Sequence, residues 1–389
     1  MKFEVNRLMM LEAAKSVGKI VPSSSPVLML RNILLESNED TGEVYMTATN
    51  HEVSIQHKVA ASVQERGAML INPRLLMGML SLLNGDFITF SADNPEILKV
   101  TGGRCTYQIK CLSANGYPKP IMPFPEECAL MTGICSLAKR TTFAVSTDEK
   151  KPVLQCVNIK LKNNAVHAEA SDGVIMMLTK DSAEPTDVRE FLLPGRSLQM
   201  LASISDDSDI FEVGDICNVI VFVRGDMIFT IKKFATGDFM DTTAVLKNFK
   251  PAYTAVAEVC KLKEALSLIS IAALAGEDRE PINLILSSGE IILRCNSDYS
   301  EASAEIPANI SNDTPNTGFF YDVPALSKLF QVVNGKVKLE FDTNGFMLAK
   351  TRNEIYFQSP LRPKIKKANP FKKKKEKSAK GAEDMKEVA

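Results

Sequence analysis

Apolar and polar residues alternate with period two in three separate stretches of the chain, and a polar turn interrupts each at the same point. The first reads Asn32-Ile-Leu-Leu-Glu, then Val44-Tyr-Met-Thr-Ala-Thr49-Asn50, then Val53-Ser-Ile-Gln-His. The second reads Val157-Asn-Ile-Lys-Leu, Asn163-Asn164, Val166-His-Ala-Glu-Ala-Ser171-Asp172, then Ile175-Met-Met-Leu. The third reads Ile282-Asn-Leu-Ile-Leu, Ser288-Gly289, Ile291-Ile-Leu-Arg-Cys-Asn296-Ser297-Asp298, then Ala302-Ser-Ala-Glu-Ile. Period two marks half-buried strands and the Asn, Gly and Ser between them mark tight reversals, so each stretch predicts a three-stranded meander. Thr49, Ser171 and Ser297 stand 122 and 126 residues apart.

Helical periodicity repeats at a similar interval. A proline-started helix follows each meander: Asn72-Pro-Arg-Leu-Leu-Met-Gly-Met-Leu, Pro194-Gly-Arg-Ser-Leu-Gln-Met-Leu and Asp322-Val-Pro-Ala-Leu-Ser-Lys-Leu-Phe. Proline suits the first helical turn because its missing N–H would be unpaired there. Pro73, Pro194 and Pro324 are 121 and 130 residues apart, close to the spacing of the turns. Each unit also opens with a helix, over Arg7 to Ile20, Leu130 to Ser146 and Cys260 to Leu274, and further strands close the first unit at Ile88-Thr-Phe-Ser, Leu98-Lys-Val and Cys105-Thr-Tyr-Gln-Ile-Lys. Two independent markers at matching intervals predict an α+β chain of three repeated domains, each with two helices and about eight strands. The expected limits are 1–124, 125–249 and 250–363, with a tail over 364–389.

Charge changes this picture at one end only. The chain holds 46 Lys and Arg against 47 Asp and Glu, but 364–389 carries ten Lys against four acidic residues, which leaves the rest at −7. A segment so charged cannot bury a core, and the reading is a disordered tail that aids solubility or touches DNA loosely. An acidic body does not announce nucleic-acid binding, so any such contact must come from a locally basic surface. No apolar run approaches the ~18 residues of a membrane span, and Met1-Lys2-Phe3-Glu4-Val5 leads straight into an amphipathic pattern without a secretory layout, so the expectation is a soluble cytoplasmic protein. Cys105, Cys111, Cys128, Cys135, Cys156, Cys217, Cys260 and Cys295 show no metal-ligand spacing and read as reduced, buried packing residues.

From these repeats outward, the chain resembles the β sliding clamp of bacterial DNA polymerase III, from Met1 to about Arg362. The resemblance is carried by Met1-Lys-Phe, Pro26-Val-Leu-Met-Leu-Arg-Asn32-Ile-Leu-Leu, Thr49-Asn-His-Glu52, Ser171-Asp-Gly173, Phe229-Thr-Ile-Lys ahead of Gly237-Asp-Phe239, and Tyr356-Phe-Gln-Ser-Pro-Leu-Arg362. It implies a ring of two head-to-tail chains, sheets outside and helices lining a hole that encircles duplex DNA without reading its sequence. A surface for that task should be mildly basic, and Arg7, Lys15, Lys19, Arg74, Lys139, Arg140, Arg196, Lys261, Lys263 and Lys328 lie on the six expected helices with few acidic neighbours. Ser24 and Asp148 stand where the family tends to offer Arg and Gln to DNA.

Ring closure needs complementary edges. The resemblance assigns Arg104, Tyr107 and Ile109 to one edge of a homodimer and Ile271, Leu274, Glu301 and Glu305 to the other, apolar centres with opposite charges beside them. It further implies a groove for short extended peptides formed by Leu154, Ser171, Gly173, Val174, Ile175, Met176, Met240 and Val245 with Phe357, Ser359, Pro360, Leu361 and Arg362. An apolar trough with a few hydroxyl and backbone groups accepts leucine and phenylalanine side chains. Val174 and Ile175 replace a common His-Arg pair and Met240 replaces a Pro, so the trough is greasier than is usual. The partners implied are the replicative polymerase's catalytic subunit, the clamp loader, repair polymerases, and mismatch-repair or ligase-type proteins.

Catalysis finds no support. His51, His57 and His167 sit beside no recognisable nucleophile, no phosphate-cradling glycine motif occurs, and Asp172 and Asp298 occupy equivalent turns where bracing backbone amides is the simpler role. No cofactor or metal is expected. Two rival readings are a clamp paralogue of a mobile element with altered partners, and a repeat protein with a catalytic or small-molecule site that the sequence does not display.

Overall fold

The computed structural model describes residues 1–362 apart from 95, 163, 183–188, 235–236, 276–278 and 312–316. The lysine-rich tail, 364–389, thus lies outside the described residues. The chain divides into two compact units, Met1–Phe249 with Leu348–Phe357 and Lys250–Met347 with the residues from Gln358 onward. Residues 348–357, grouped with 250–363 on sequence, therefore cluster with the first unit.

In the first unit the three meander strands of each repeat form as expected: Ile33–Asn38, Glu43–Thr49 and Val53–Glu65, then Cys156–Lys162, Ala165–Ser171 and Ile175–Ser182. All pair antiparallel with their sequence neighbours. The strand Val53–Glu65 is long enough to serve three partners. Its first half pairs with Met227–Lys232 of the second repeat, matching Ile55 with Phe229, and its second half pairs with the N-terminal strand Lys2–Asn6. One sheet therefore runs without interruption from Ala129–Met131 through both repeats to Cys105–Lys110. Its core is apolar and aromatic, with Phe3 stacked on Phe90 at 4.7 Å and Phe211 edge-on to Phe222 at 6.2 Å.

Helices α1 (Arg7–Gly18) and α2 (Pro73–Leu82) pack on each other, as do α3 (Ile134–Thr141) and α4 (Gly195–Ser203). Asn6 and Asn72 cap α1 and α2, each side chain accepting from two backbone amides of the first turn. The helix expected from Leu130 begins later. Leu130 instead belongs to the strand Ala129–Met131, because Gly133 takes φ +70° and breaks the run, and α3 starts at Ile134. Asp207 supplies the missing cap, accepting from the Ser136 N–H at 2.7 Å and its hydroxyl at 2.6 Å, and these bonds hold its carboxyl below the ordinary range. An unexpected helix, α5 (Thr242–Asn248), follows Asp241, which accepts from Ala244 N–H at 3.0 Å.

In the second unit the strands lie in the order Lys336–Phe341, Tyr253–Glu258, Glu301–Ser311, Glu290–Asn296, Ile282–Ser287, Thr317–Tyr321. Helices α6 (Val259–Ala273) and α7 (Val323–Val332) pack together, and Asp322 caps α7. Phe319 stacks on Phe341 at 5.9 Å in the core. The cysteines depart from expectation. Among the described residues no disulfide joins the eight, and only Cys111, Cys135, Cys156 and Cys295 are buried, while Cys105, Cys128, Cys217 and Cys260 face solvent. Of these four only Cys105 lies on a strand; Cys128 and Cys217 fall in connections and Cys260 on the first turn of α6, where an apolar run does not enforce burial.

Candidate partner groove, ring edges and basic helix faces

The polar turn between the second and third meander strands is built from the same hydrogen bonds in the first two repeats. In the second, Asp172 accepts from Val174 N–H and Ile175 N–H, both at 2.8 Å, while the Ser171 hydroxyl donates to the Ile175 carbonyl at 2.7 Å and accepts from Gly173 N–H at 3.1 Å. In the first, Asn50 accepts from Glu52 N–H and Val53 N–H at 3.0 and 2.8 Å, and Thr49 donates to the Val53 carbonyl at 3.1 Å. The third uses Ser297, which donates to the Ser300 carbonyl at 3.0 Å and accepts from Ser300 N–H at 3.1 Å. Asp172 thus braces amides, as its sequence position suggested. The residue at the crest has positive φ in the first two repeats, His51 at 75° and Gly173 at 93°.

This turn decides what the candidate groove exposes. Gly173 has no side chain, and Leu154 Cδ1 lies 3.9 Å from where a Cβ would stand. Val174 is thrust outward and is 37% exposed. Leu154, Met240 and Val245 are half-buried, the last carried by α5. Ile175 and Met176, placed on the groove by resemblance, are instead sealed in the unit's own core, because Asp172 and Ser171 pull the chain back into its strand directly after Val174. Ser171 is buried with its hydroxyl spent on the turn. Phe357 is also buried, edge-on to Phe249 at 5.9 Å.

The remaining groove candidates belong to the second unit. Ser359, Pro360 and Leu361 are half-buried and Arg362 is exposed. Leu361 N–H donates to the Phe320 carbonyl at 2.7 Å, so this segment lies along the edge strand Thr317–Tyr321. There Pro360, Leu361 and Arg362 border a cavity of about 590 Å³ shared with Gly318, Phe319, Phe320, Asn344 and Phe346. Sequence reasoning missed those five. Their packing turns on Gly345, which at φ +88° lies so close to Phe319 that an added Cβ would come within 2.4 Å of the ring.

At the proposed edges, Cys105–Lys110 ends its sheet and pairs only with Ile97–Gly102 among the described residues, which leaves one side of its backbone unpaired. Arg104 is exposed and Tyr107 is 50% exposed, but Ile109 is 2% exposed and packs inward. Ile109 is thus a core residue of its own chain and not an edge contact. In the second unit Ile271 is 71% exposed, with Leu274 and the unforeseen Leu268 exposed on the same helix, and Glu301 and Glu305 face solvent.

The basic candidates separate into two kinds. Lys15, Arg74, Lys139, Arg196 and Lys261 are exposed, with Lys261 near Glu264 at 3.6 Å, and Lys263 and Lys328 are half-buried. Lys19 is exposed but donates to the Ser203 carbonyl at the end of α4. Arg7 and Arg140 are used internally instead. Arg7 donates to the carbonyls of Leu80 and Gly85 at 2.9 and 3.1 Å, closing the open end of α2. Burial works against the Arg140 charge, but the ion pairs with Asp181 and Glu354 outweigh it and raise its pKa. Both guanidinium groups thus have partners within the chain. Among the described residues no group of three His, Cys, Asp or Glu could hold a metal, and no helix is long and apolar enough to cross a membrane.

Comparison with known proteins meets this geometry from outside. Residues 1–122 match the family model described as DNA polymerase III beta subunit, N-terminal domain, and residues 132–240 match its central-domain counterpart. The beta sliding clamp of Chlamydia trachomatis is 24% identical over 335 residues, 83% of this chain and 78% of that protein. That of Bacillus subtilis is 23% identical over 292 residues, 72% and 75% of the two chains. The crystal structure of the Bacillus subtilis DNA polymerase sliding clamp superposes with a TM-score of 0.83 at 20% identity, covering 94% of this chain and all of that one.

Proposed function

The chain belongs to the DNA polymerase III beta subunit family, the beta sliding clamps, and on that premise we propose that two copies close into a ring around duplex DNA and dock short apolar peptides of their partners. Its role is that of a non-catalytic processivity clamp that works with DNA and with polymerase. The observation that carries the proposal is the set of exposed cations on paired helices of an otherwise acidic chain: Lys15, Arg74, Lys139, Arg196 and Lys261. Cations that meet phosphates without reading bases retain a duplex while leaving it free to slide.

In the homodimer, the free edge of Cys105–Lys110 with Arg104 and Tyr107 meets the Ile271–Leu274 surface of the other copy, flanked by Glu301 and Glu305. The partner peptide engages Leu154, Val174, Met240 and Val245 of the first unit, and the cavity bordered by Pro360, Leu361 and Arg362 is a separate candidate surface of the second unit. Its owners would be the polymerase catalytic subunit, the clamp loader, and repair polymerases, mismatch-repair or ligase-type proteins, all in the cytoplasm.

Loading onto a nicked circular duplex tests the ring. We expect retention through gel filtration on the circle and loss once the circle is linearised, together with a particle about twice the chain mass by light scattering. A monomer that leaves circular and linear DNA equally fast would defeat the proposal.

A further inference from the structure

The first unit contains the polar turn twice, and strand register fixes which neighbours correspond. Leu34 pairs with Thr47 and Asn158 with Glu169, each partner standing two residues before its turn residue, Thr49 or Ser171. Position 34 thus answers to 158, and 30 to 154. The short turns that carry them agree, since Leu30 N–H donates to the Val27 carbonyl at 3.2 Å and Leu154 N–H to the Lys151 carbonyl at 3.0 Å. On the neighbouring strand Leu70 and Leu192 correspond, as the partners of Leu34 and Asn158. Leu112 pairs with Leu70, and Phe234 N–H reaches the Leu192 carbonyl at 3.1 Å, so five residues later Tyr117 answers to Phe239.

The two sets differ in cover. In the first repeat Leu30, Leu34, Leu70 and Tyr117 form one closed apolar cluster, joined by Met29 and Ala114. In the second, Leu154, Leu192 and Phe239 are all half-exposed, and polar Asn158 replaces Leu34 and donates to Glu190 at 2.9 Å. Tyr117 reaches the first repeat from the connector between repeats. Tyr117 ends a turn closed by its N–H on the Ala114 carbonyl at 3.1 Å, and Lys119 N–H donates back to the Tyr117 carbonyl at 2.7 Å, so the ring is fixed from both sides by its own backbone. Its hydroxyl lies near the Thr49 backbone without a hydrogen bond of full geometry. A buried hydroxyl left so is a cost to the closed state. Val27, Leu28 and Ile121, further along the same two segments, are exposed.

Granting that the second repeat's turn and Leu154 form part of the partner groove, as proposed, we infer that the first repeat holds a closed duplicate of that site. Tyr117 of the chain's own connector seals the apolar residues whose counterparts Phe239 leaves half-exposed in the second repeat. The ligand class is the same, an extended peptide with leucine and aromatic side chains, and the site is withheld from it by an internal substitute.

Titration of the full chain with a dye-labelled, capped pentapeptide of leucine, serine and phenylalanine tests this. Wild type should bind one peptide per chain and V174R none, Y117A should bind two, and V174R/Y117A one. One peptide on Y117A, with cooperative unfolding intact, overturns the closed duplicate and leaves the groove reading standing. Failure of wild type to bind, or binding unaffected by V174R, sinks the groove reading and this one with it. Should Y117A not fold, the smaller truncation Y117V decides: two peptides per chain are expected, and one peptide on a cooperatively unfolding Y117V overturns the closed duplicate.

Discussion

Thr49–Val53 and Ser171–Ile175 are two castings of one turn, yet beside the first a tyrosine seals an apolar cluster and beside the second the corresponding Leu154, Leu192 and Phe239 stay half-exposed. The turns are alike because their geometry is local: a Ser or Thr hydroxyl and an Asx carboxylate or amide satisfy the same backbone groups in both. Their surfaces differ because cover comes from elsewhere in the chain, a buried Tyr117 in one case and a half-exposed Phe239 in the other. Duplication therefore preserves a scaffold while the apolar cover beside it diverges.

The sharpest test compares corresponding leucines. Leu30→Ala removes a fully packed side chain and should cost about 2 to 5 kcal/mol, read by urea denaturation. Leu154→Ala, at a half-exposed site, should cost less than about 1 kcal/mol yet weaken the leucine–phenylalanine peptide. Equal losses of stability would erase the distinction between sealed and open repeats.

A second contrast lies within α3 of the second repeat. Arg140→Met strands the carboxylates of Asp181 and Glu354 and should destabilise by about 1 to 3 kcal/mol, with DNA retention altered only as far as folding is. Its exposed neighbour should behave oppositely: Lys139→Met leaves the Tm unchanged and lowers the slope of log affinity against log salt, by about 0.9 for each phosphate that is no longer neutralised. A salt slope that falls for Arg140→Met at unchanged Tm would return that residue to the DNA.

How much of this was legible beforehand follows the same division between local and distant causes. The meanders, the proline-started helices and the bracing role of Asp172 were readable because period, proline and Asx chemistry act within a few residues. The start of α3 was not, since Gly133 gave no sign of its positive φ inside an apolar run. Arg7 and Arg140 showed their charge but not their use, because Leu80, Gly85, Asp181 and Glu354 lie far along the chain. Tyr107 and Ile109 share a face by alternation, but only Ile109 is covered. The cavity beside Leu361 needed Gly345 and Phe319 in contact, a tertiary fact that no pattern announces.

The turns themselves offer a smaller test. Asn50→Ala and Asp172→Ala each release two backbone amides, and both should lose about 1 to 2 kcal/mol in thermal unfolding. Only Asp172→Ala should also weaken peptide binding, because only its turn presents an apolar side chain, Val174, to solvent, where the first turn presents His51 and Glu52. Equal weakening by both variants would mean that wild type binds peptide through the first repeat as well.

The smallest effect is a dependence on pH that separates the two repeats by their histidines. Burial lowers the pKa of His57, whose Nδ1 lies 3.2 Å from the Lys58 carbonyl, against the weaker pull of Asp226 and Glu12. Burial also lowers that of His167, helped by Lys162 and Lys180. In each the folded chain binds its proton less readily than the unfolded chain, whose histidines titrate near about 6.5. Their contribution to stability is thus complete above that value and is lost as the pH falls through it toward the folded pKa, where both states are protonated. Unfolding midpoints between pH 7.5 and pH 5 should therefore fall with acid, and His57→Gln should flatten the decline more than His167→Gln, because its ring is the more deeply set. A decline left untouched by His57→Gln would assign the acid sensitivity to carboxylates and remove the first repeat's histidine from the account.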